Sequence, residues 1–367
     1  MKILFHLNSM GRGGAERVVS ILSKGFAQQG HDVIVATQWF SEKEYALDER
    51  VRRISVGLTD EDADKNRLQK AFCRLFRLRS CVTKENPDLV ISFCCKANYR
   101  SAFTLFGKKI PLLISVRNDP KMDYASHKLA NMWMEHKATG CVFQTPDAQA
   151  FFSPKLQKKS KIIFNPIAEN YLTEEIEDKI QAKDRKKEIV TAGRIAKQKN
   201  HMLLLHAFQK IAATYPEYTL KIYGDVQDQE CLDEMQAYIK QHHLEERIYI
   251  LGATDSIREE IANASLFVLS SDYEGMPNAL MEALVMGIPS ISTDCPCGGS
   301  RLLIEDGVSG LLTPVGDVDA LSQAMDTMLQ DIEHAHCMGQ EARKIKEKVH
   351  PDTICREWMN YIEELIR

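Results

Sequence analysis

Short runs rich in β-branched and large apolar residues alternate along this chain with stretches whose apolar residues recur every three or four positions. Strands separated by whole helices cannot pair as hairpins. Each helix carries the chain back across the sheet, so the strands it joins lie parallel. In the first half the candidate strands are Lys2–Leu7, Asp32–Thr37, Asp88–Phe93, Leu112–Val116, Cys141–Phe143 and Lys161–Phe164. In the second they are Glu188–Ala192, Thr219–Tyr223, Ile248–Leu251, Leu266–Leu269, Pro289–Ser292 and Gly310–Leu312. The alternation runs twice, and 367 residues are enough for two domains with separate cores. The chain reads as α/β, with one parallel-sheet domain over 1–170 and a second over 171–351. The charged stretch Pro166–Lys187 joins them, with a helix expected over Tyr171–Ile180. In the closing segment 352–367, Ile354, Trp358, Ile362 and Leu365 share one helix face, which is expected to pack back on the first domain.

Composition narrows the function classes. Apolar residues at 44% and charged residues at 27% exclude a disordered, collagen-like or coiled-coil chain. No apolar stretch reaches membrane-spanning length, and the apolar opening turns polar at Asn8, too soon for a secretory signal. The ten cysteines are scattered without a C-x-x-C pair, as in a reduced, cytoplasmic protein. The net charge of −4 hides an asymmetry: residues 1–170 carry 27 Lys and Arg against 17 Asp and Glu, and the remainder carries 20 against 34. No nucleic-acid recognition motif accompanies the basic half, so an anionic membrane surface is the better partner for it. Within it, Lys65–Lys84 holds seven basic residues and no acidic one, and Leu68, Phe72, Leu75 and Val82 recur near helical spacing. That is a basic amphipathic helix of the kind that docks on membranes.

The strand exits carry the candidate chemistry. After the first strand comes Gly11-Arg12-Gly13-Gly14-Ala15-Glu16, then a helix with Val18, Val19, Leu22 and Phe26 on its buried side. Glycines let backbone approach a ligand, and a helix N-terminus favours negative charge. A dinucleotide fingerprint would need glycine where Glu16 stands and an acidic residue after the second strand, where Ala36-Thr37-Gln38 stands, so hydride chemistry is disfavoured. After Glu188–Ala192, Gly193 and Arg194 lead to Lys199-Asn200 and a helix over His201–Ala212. Two cations at the carboxyl edge of a parallel sheet suit a diphosphate. After Leu266–Leu269 comes Ser271-Asp272-Tyr273-Glu274-Gly275-Met276-Pro277-Asn278-Ala279-Leu280-Met281-Glu282. Here Pro277 suits the first position of a helix, whose leading amides would face a phosphate. Glu274 and Glu282 can accept hydrogen bonds from sugar hydroxyls.

Glu274 and Glu282, with seven residues between them, match the E-x7-E motif of retaining glycosyltransferases of family 4. Gly13-Gly14-Ala15-Glu16, Gly193-Arg194, Lys199-Asn200-His201, Lys221-Ile222-Tyr223-Gly224-Asp225 and Asp306–Leu312 resemble further motifs of that family. Within it the chain is most similar to bacterial transferases that build capsular, O-antigen or other surface glycans on lipid carriers. The resemblance implies two Rossmann-like, doubly wound domains facing a cleft (the GT-B fold). A nucleotide-sugar donor, a UDP-sugar, would bind the C-terminal domain, and a glycan or lipid-linked acceptor the N-terminal one. It further implies retention of anomeric configuration, no metal and no other cofactor. By motif, Arg194, Lys199 and Glu274 are the catalytic candidates, with the two cations on the diphosphate. Glu282 would hold the ribose, and Glu274 with Gly275, Met276 and Pro277 the transferred sugar. Gly13, Gly14, Gly193, Asn278 and Ala279 complete the donor set. Many relatives carry a histidine where Arg117-Asn118 stands here, so these two are site candidates without a role. Asp317-Val318-Asp319 spells a D-x-D but falls in a helix-capping stretch after the last strand. A nucleotide-sugar 2-epimerase and a non-catalytic glycan-binding subunit share the architecture and remain the competing readings. The expected location is the inner face of the plasma membrane, held peripherally through the basic half.

Overall fold

The computed structural model describes residues 1–173 and 180–366. The chain divides into two compact units, Met1–Ala168 with Val349–Arg367, and Glu169–Lys348. Of the helix expected over Tyr171–Ile180, Glu169–Tyr171 forms a single 3-10 turn, and 174–179 lies outside the described residues.

In the first unit, β1 (Lys2–Leu7), β2 (Asp32–Thr37), β3 (Arg52–Ser55), β4 (Leu89–Phe93), β5 (Leu112–Ser115), β6 (Gly140–Phe143) and β7 (Ser160–Ile162) form one sheet, in the order β3-β2-β1-β4-β5-β6-β7. Every neighbouring pair is parallel. β4 and β5 are buried along their whole length, which is why they read as unbroken apolar runs. β3 escapes a sequence reading because Arg-Arg-Ile-Ser has no apolar run. It lies at the sheet edge, partly exposed, where burial does not dictate its residues.

The helices α1 (Gly14–Gln28), α2 (Arg67–Glu85) and α3 (Cys95–Thr104) follow β1, β3 and β4. The final helix, Pro351–Ile366, belongs to this unit and buries Ile354, Trp358 and Ile362. Trp358 stacks on Phe93 with ring centroids 5.7 Å apart, and Phe93 in turn meets Phe5 at 6.1 Å. The Tyr361 hydroxyl donates to Lys159 O at 2.7 Å and accepts from Cys141 N at 3.2 Å, tying the helix to the ends of β6 and β7. The chain returns at Val349, a fully buried residue whose carbonyl accepts from Ile167 N at 2.8 Å.

α2 divides its apolar residues between two faces. Leu78 and Val82 are buried, and Leu75 is half-buried. Leu68 and Phe72, expected on that same face, instead stand 73% and 70% exposed with Phe76 at 74%, forming a ridge at i, i+4, i+8. The spacing could not separate the faces, because Leu68 and Leu75, seven residues apart, differ by only about 20° around the helix axis. Among the described residues, no helix is long and apolar enough to cross a membrane.

The second unit repeats the plan. β8 (Lys186–Ala192), β9 (Thr219–Tyr223), β10 (Ile248–Gly252), β11 (Ala264–Leu269), β12 (Ser290–Thr293) and β13 (Leu311–Thr313) are all parallel, in the order β10-β9-β8-β11-β12-β13. In both sheets the winding reverses beside the first strand, between β1 and β4 and between β8 and β11. At such a point neighbouring connections leave to opposite faces, and the carboxyl ends of the strands open a crevice.

Candidate functional site

The reversal between β8 and β11 brings two distant loops together. β8 ends in Gly193-Arg194, and a 3-10 turn, Lys197–Lys199, leads to Asn200. Asn200 takes a left-handed conformation (φ 40°) and caps the helix His201–Ile211, its side-chain oxygen accepting from Leu203 N at 3.1 Å. Its amide nitrogen donates to Asp272 Oδ1 at 2.7 Å, in the loop after β11. The backbone joins the loops again: Asp272 N donates to Gln198 O at 2.9 Å, and Ser270 Oγ to Lys199 O at 3.1 Å.

This double fastening sets Lys199 against Glu274. Lys199 Nζ lies 2.6 Å from Glu274 Oε1, both side chains largely buried, and Ser271 Oγ donates to the same oxygen at 2.8 Å. Gln198 Nε2 reaches the other oxygen at 3.4 Å and Tyr273 O at 2.9 Å. The lysine stem crosses Gly193, where an added Cβ would sit 3.1 Å from its Cε. Gly224, after β9, allows the crowding: a Cβ there would lie 1.9 Å from Gly193 O. Arg194 is exposed at the same edge, its carbonyl accepting from His201 Nε2 at 3.3 Å. Burial pushes His201 down to about 4, so it is neutral at physiological pH.

Beyond Glu274 the chain passes buried Gly275 and Met276 into the helix Asn278–Val285. Pro277 is the N-cap of that helix and not its first residue: its carbonyl accepts from Met281 N at 3.1 Å, and its backbone is extended at ψ 107°. Proline has no side chain able to cap, so Pro277 makes no side-chain cap at this helix start, where the amides of Asn278, Ala279 and Leu280 lead. Gly299 lets another chain segment press close, since a Cβ there would meet Gly275 O at 1.9 Å. One turn into the helix, Glu282 is buried and its Oε2 accepts from Tyr171 Oη at 3.0 Å. Tyr171 lies 111 positions away and carries no sequence signal. Gln198 and Ser271 were visible beside the motif but give no pattern that distinguishes them from solvated loop residues. A cavity of about 240 Å³ is lined by Lys197, Asn200, His201, Cys231 and Asp272 among others, and Glu274 does not line it.

Residues 173–345 match the family described as Glycosyl transferases group 1, and residues 12–166 match Glycosyltransferase Family 4. The chain belongs to the family 4 glycosyltransferases. This glycosyltransferase is 26% identical over 98% of its length to the N-acetylgalactosamine-N,N'-diacetylbacillosaminyl-diphospho-undecaprenol 4-alpha-N-acetylgalactosaminyltransferase of Campylobacter jejuni, covering 99% of that protein. It is 24% identical to the Lipopolysaccharide 1,6-galactosyltransferase of Salmonella typhimurium over 87% of both chains. The crystal structure of HepE from Anabaena in complex with UDP and glucose shares its GT-B fold, with a TM-score of 0.83 at 20% identity over 99% of both chains.

The remaining candidates of the glycosyltransferase lie in the first unit. Gly13 is the N-cap of α1 and Gly14 its first residue, again without a side-chain cap. An added Cβ at Gly13 would lie 2.2 Å from the Glu16 carboxylate, which would have to swing aside. Arg117 and Asn118 follow β5, and Arg117 lies over the Phe93 ring, 4.9 Å from its centroid. The D-x-D aspartates have structural partners: Asp317 Oδ1 accepts from Ala320 N at 2.9 Å, and Asp319 pairs with Lys210.

Proposed function

We propose that this glycosyltransferase moves a sugar from a nucleoside-diphosphate sugar, a UDP-sugar, to a glycan or lipid-linked acceptor of a surface polysaccharide, with retention of configuration. One observation carries the reading. At the β8/β11 reversal, Lys199, Glu274 and a helix start without a side-chain cap converge, next to the exposed Arg194. Breaking a glycosyl–phosphate bond leaves negative charge on the diphosphate. Lys199, Arg194 and the amides of Asn278 and Ala279 are the groups placed to stabilise it as it develops. Glu274 holds Lys199 in place before the donor arrives and then accepts from hydroxyls of the transferred sugar, a positioning role and not a nucleophilic one. Glu282, oriented by Tyr171, accepts from the ribose hydroxyls. The names of the Campylobacter and Salmonella relatives support the acceptor class, and the UDP complex of the structural neighbour supports the donor class.

The test is a panel of UDP-sugars with a polyprenyl-diphosphate-linked glycan, the product's anomeric configuration being read by NMR. Transfer with retention supports the reading; an inverted product, an epimerised nucleotide sugar or no turnover with any donor overturns it. Because cations and helix amides do here what a divalent ion does in other transferases, turnover is expected to persist in EDTA. Loss in EDTA, restored by magnesium or manganese, would refute metal independence.

The same reading places the protein on the inner membrane surface through α2. The cations in and just before it are less available than their number suggests: Lys65 and Arg77 pair with Asp62, and Arg79 donates to Thr104 O and Phe106 O. The exposed Leu68–Phe72–Phe76 ridge, flanked by Arg67 and Lys70, supplies an apolar contribution that salt does not screen. Flotation on anionic vesicles is expected to fall only partly in high salt and to be lost in a Leu68→Ser, Phe72→Ser, Phe76→Ser variant. Unchanged flotation of that variant would remove α2 as the docking element.

A further inference from the structure

A second positive site lies in the first unit, at the carboxyl ends of β4 and β5, and none of the donor contacts above uses it. All three guanidinium nitrogens of Arg117 are shut off from solvent, and none has a hydrogen-bond partner among the described residues. Burial lowers the group to about 10, so it still carries its charge at neutral pH. A buried arginine is ordinarily matched by a carboxylate, because an unpaired charge in a poorly solvated place is costly. Of the two acids that follow it in sequence, Asp119 Oδ1 accepts from Lys121 N at 2.9 Å, and burial pushes the Asp123 carboxyl up. The nearby Cys94 thiol is pushed up to about 12 and supplies no anion.

The guanidinium lies against the start of α3. It sits over Phe93, the last residue of β4, and Cys94 N donates to Ser115 O at 3.2 Å, binding the head of α3 to the end of β5 two residues before Arg117. α3 has ten residues and no side-chain cap, so its positive end faces the same place. Cys94, its N-cap, holds φ 71° and ψ 156°, a conformation that glycine adopts and other residues rarely do. A fixed cation without a hydrogen-bonded carboxylate among the described residues thus lies beside a helix N-terminus, where the acids acting on Cys94 are Glu16 and Asp123.

We propose that Arg117 and the N-terminus of α3 form an anion site that takes a phosphate or carboxylate group of a substrate, separate from the diphosphate grip at Arg194 and Lys199. The planar fork of arginine suits either group. The two sources are the diphosphate of a lipid-linked acceptor and the carboxylate of an acidic sugar. The site consists of first-unit residues only, so it does not depend on the assignment of the second-unit residues.

The experiment uses the full chain with UDP present in excess, so that any donor diphosphate site is filled. Calorimetric titration with inorganic pyrophosphate, with farnesyl diphosphate and with glucuronate distinguishes the sources. One-to-one binding of either diphosphate assigns the acceptor, and binding of glucuronate alone assigns an acidic sugar. Arg117→Gln is expected to weaken the bound probe by about tenfold or more, and Arg117→Lys by less, since a point charge replaces the fork. Thermal melting provides the second readout. Removing an uncompensated charge should leave the melting temperature of the free protein unchanged or higher, while abolishing the rise produced by the probe. Failure of the wild type to bind any of the three probes, equal binding by Arg117→Gln, or a marked fall in its ligand-free melting temperature would each overturn the proposal.

Discussion

Lys199→Ala is expected to lower kcat of sugar transfer by about two to three orders of magnitude at saturating donor, the effect of removing one preorganised group that stabilises developing charge. Sequence reasoning alone treats this change as nearly free for folding, as for a solvated surface cation. The structure corrects that expectation: Lys199 is 14% exposed and its partner Glu274 9%, so the variant strands a buried carboxylate. Ser271 Oγ and Gln198 Nε2 still reach that carboxylate, which holds the expected loss of stability to about 1–3 kcal/mol. Adding Glu274→Gln should recover much of the stability and none of the turnover. Arg194→Ala, at an exposed position, should reduce turnover without moving the unfolding midpoint. Steady-state kinetics and chemical unfolding measured on the same samples separate the two effects. Wild-type kcat in Lys199→Ala would remove the diphosphate assignment.

Trp358→Ala should destabilise the first unit by about 3–5 kcal/mol, the usual range for deleting a fully buried tryptophan. The side chain is completely buried and stacks on Phe93 at an interplanar angle of 16°, in the same cluster as Phe5, Leu22 and Ile362. Among the described residues its indole Nε1 has no hydrogen-bond partner, so Trp358→Phe sacrifices packing alone and should cost distinctly less. Denaturant unfolding followed by circular dichroism measures both. A loss below about 1 kcal/mol for the alanine variant would mean that the final helix is not part of this core.

The sequence carried the sheets because parallel strands are buried on both faces. Burial on both sides demands unbroken apolar runs, and β1, β2, β4 and β11 announce themselves in that way. β3 did not, since an edge strand is under no such demand. The motif residues were legible for a related reason: glycines, a helix-starting proline and clustered charges at strand exits are local requirements of backbone and ligand, written at fixed offsets.

Partners across long sequence separations were not legible. The Lys199–Glu274 pair joins loops 75 positions apart, and Tyr171 reaches Glu282 across 111. Only the order β9-β8-β11, which sets β8 beside β11, brings the loops of the pair together. α2 shows the same limit: helical spacing marks which residues share a face, and only the neighbouring elements decide which face is covered. Arg117 is the clearest case. Its sequence neighbours include Asp119 and Asp123, so composition alone would grant it a counter-charge, yet the turn after β5 commits Asp119 to a helix cap, and among the described residues neither acid is hydrogen-bonded to the guanidinium. Local sequence determined what each segment is, because secondary structure and turn chemistry depend on near neighbours. Tertiary structure decided which charges are paired and which are left bare, because pairing depends on distances in space that no local pattern encodes.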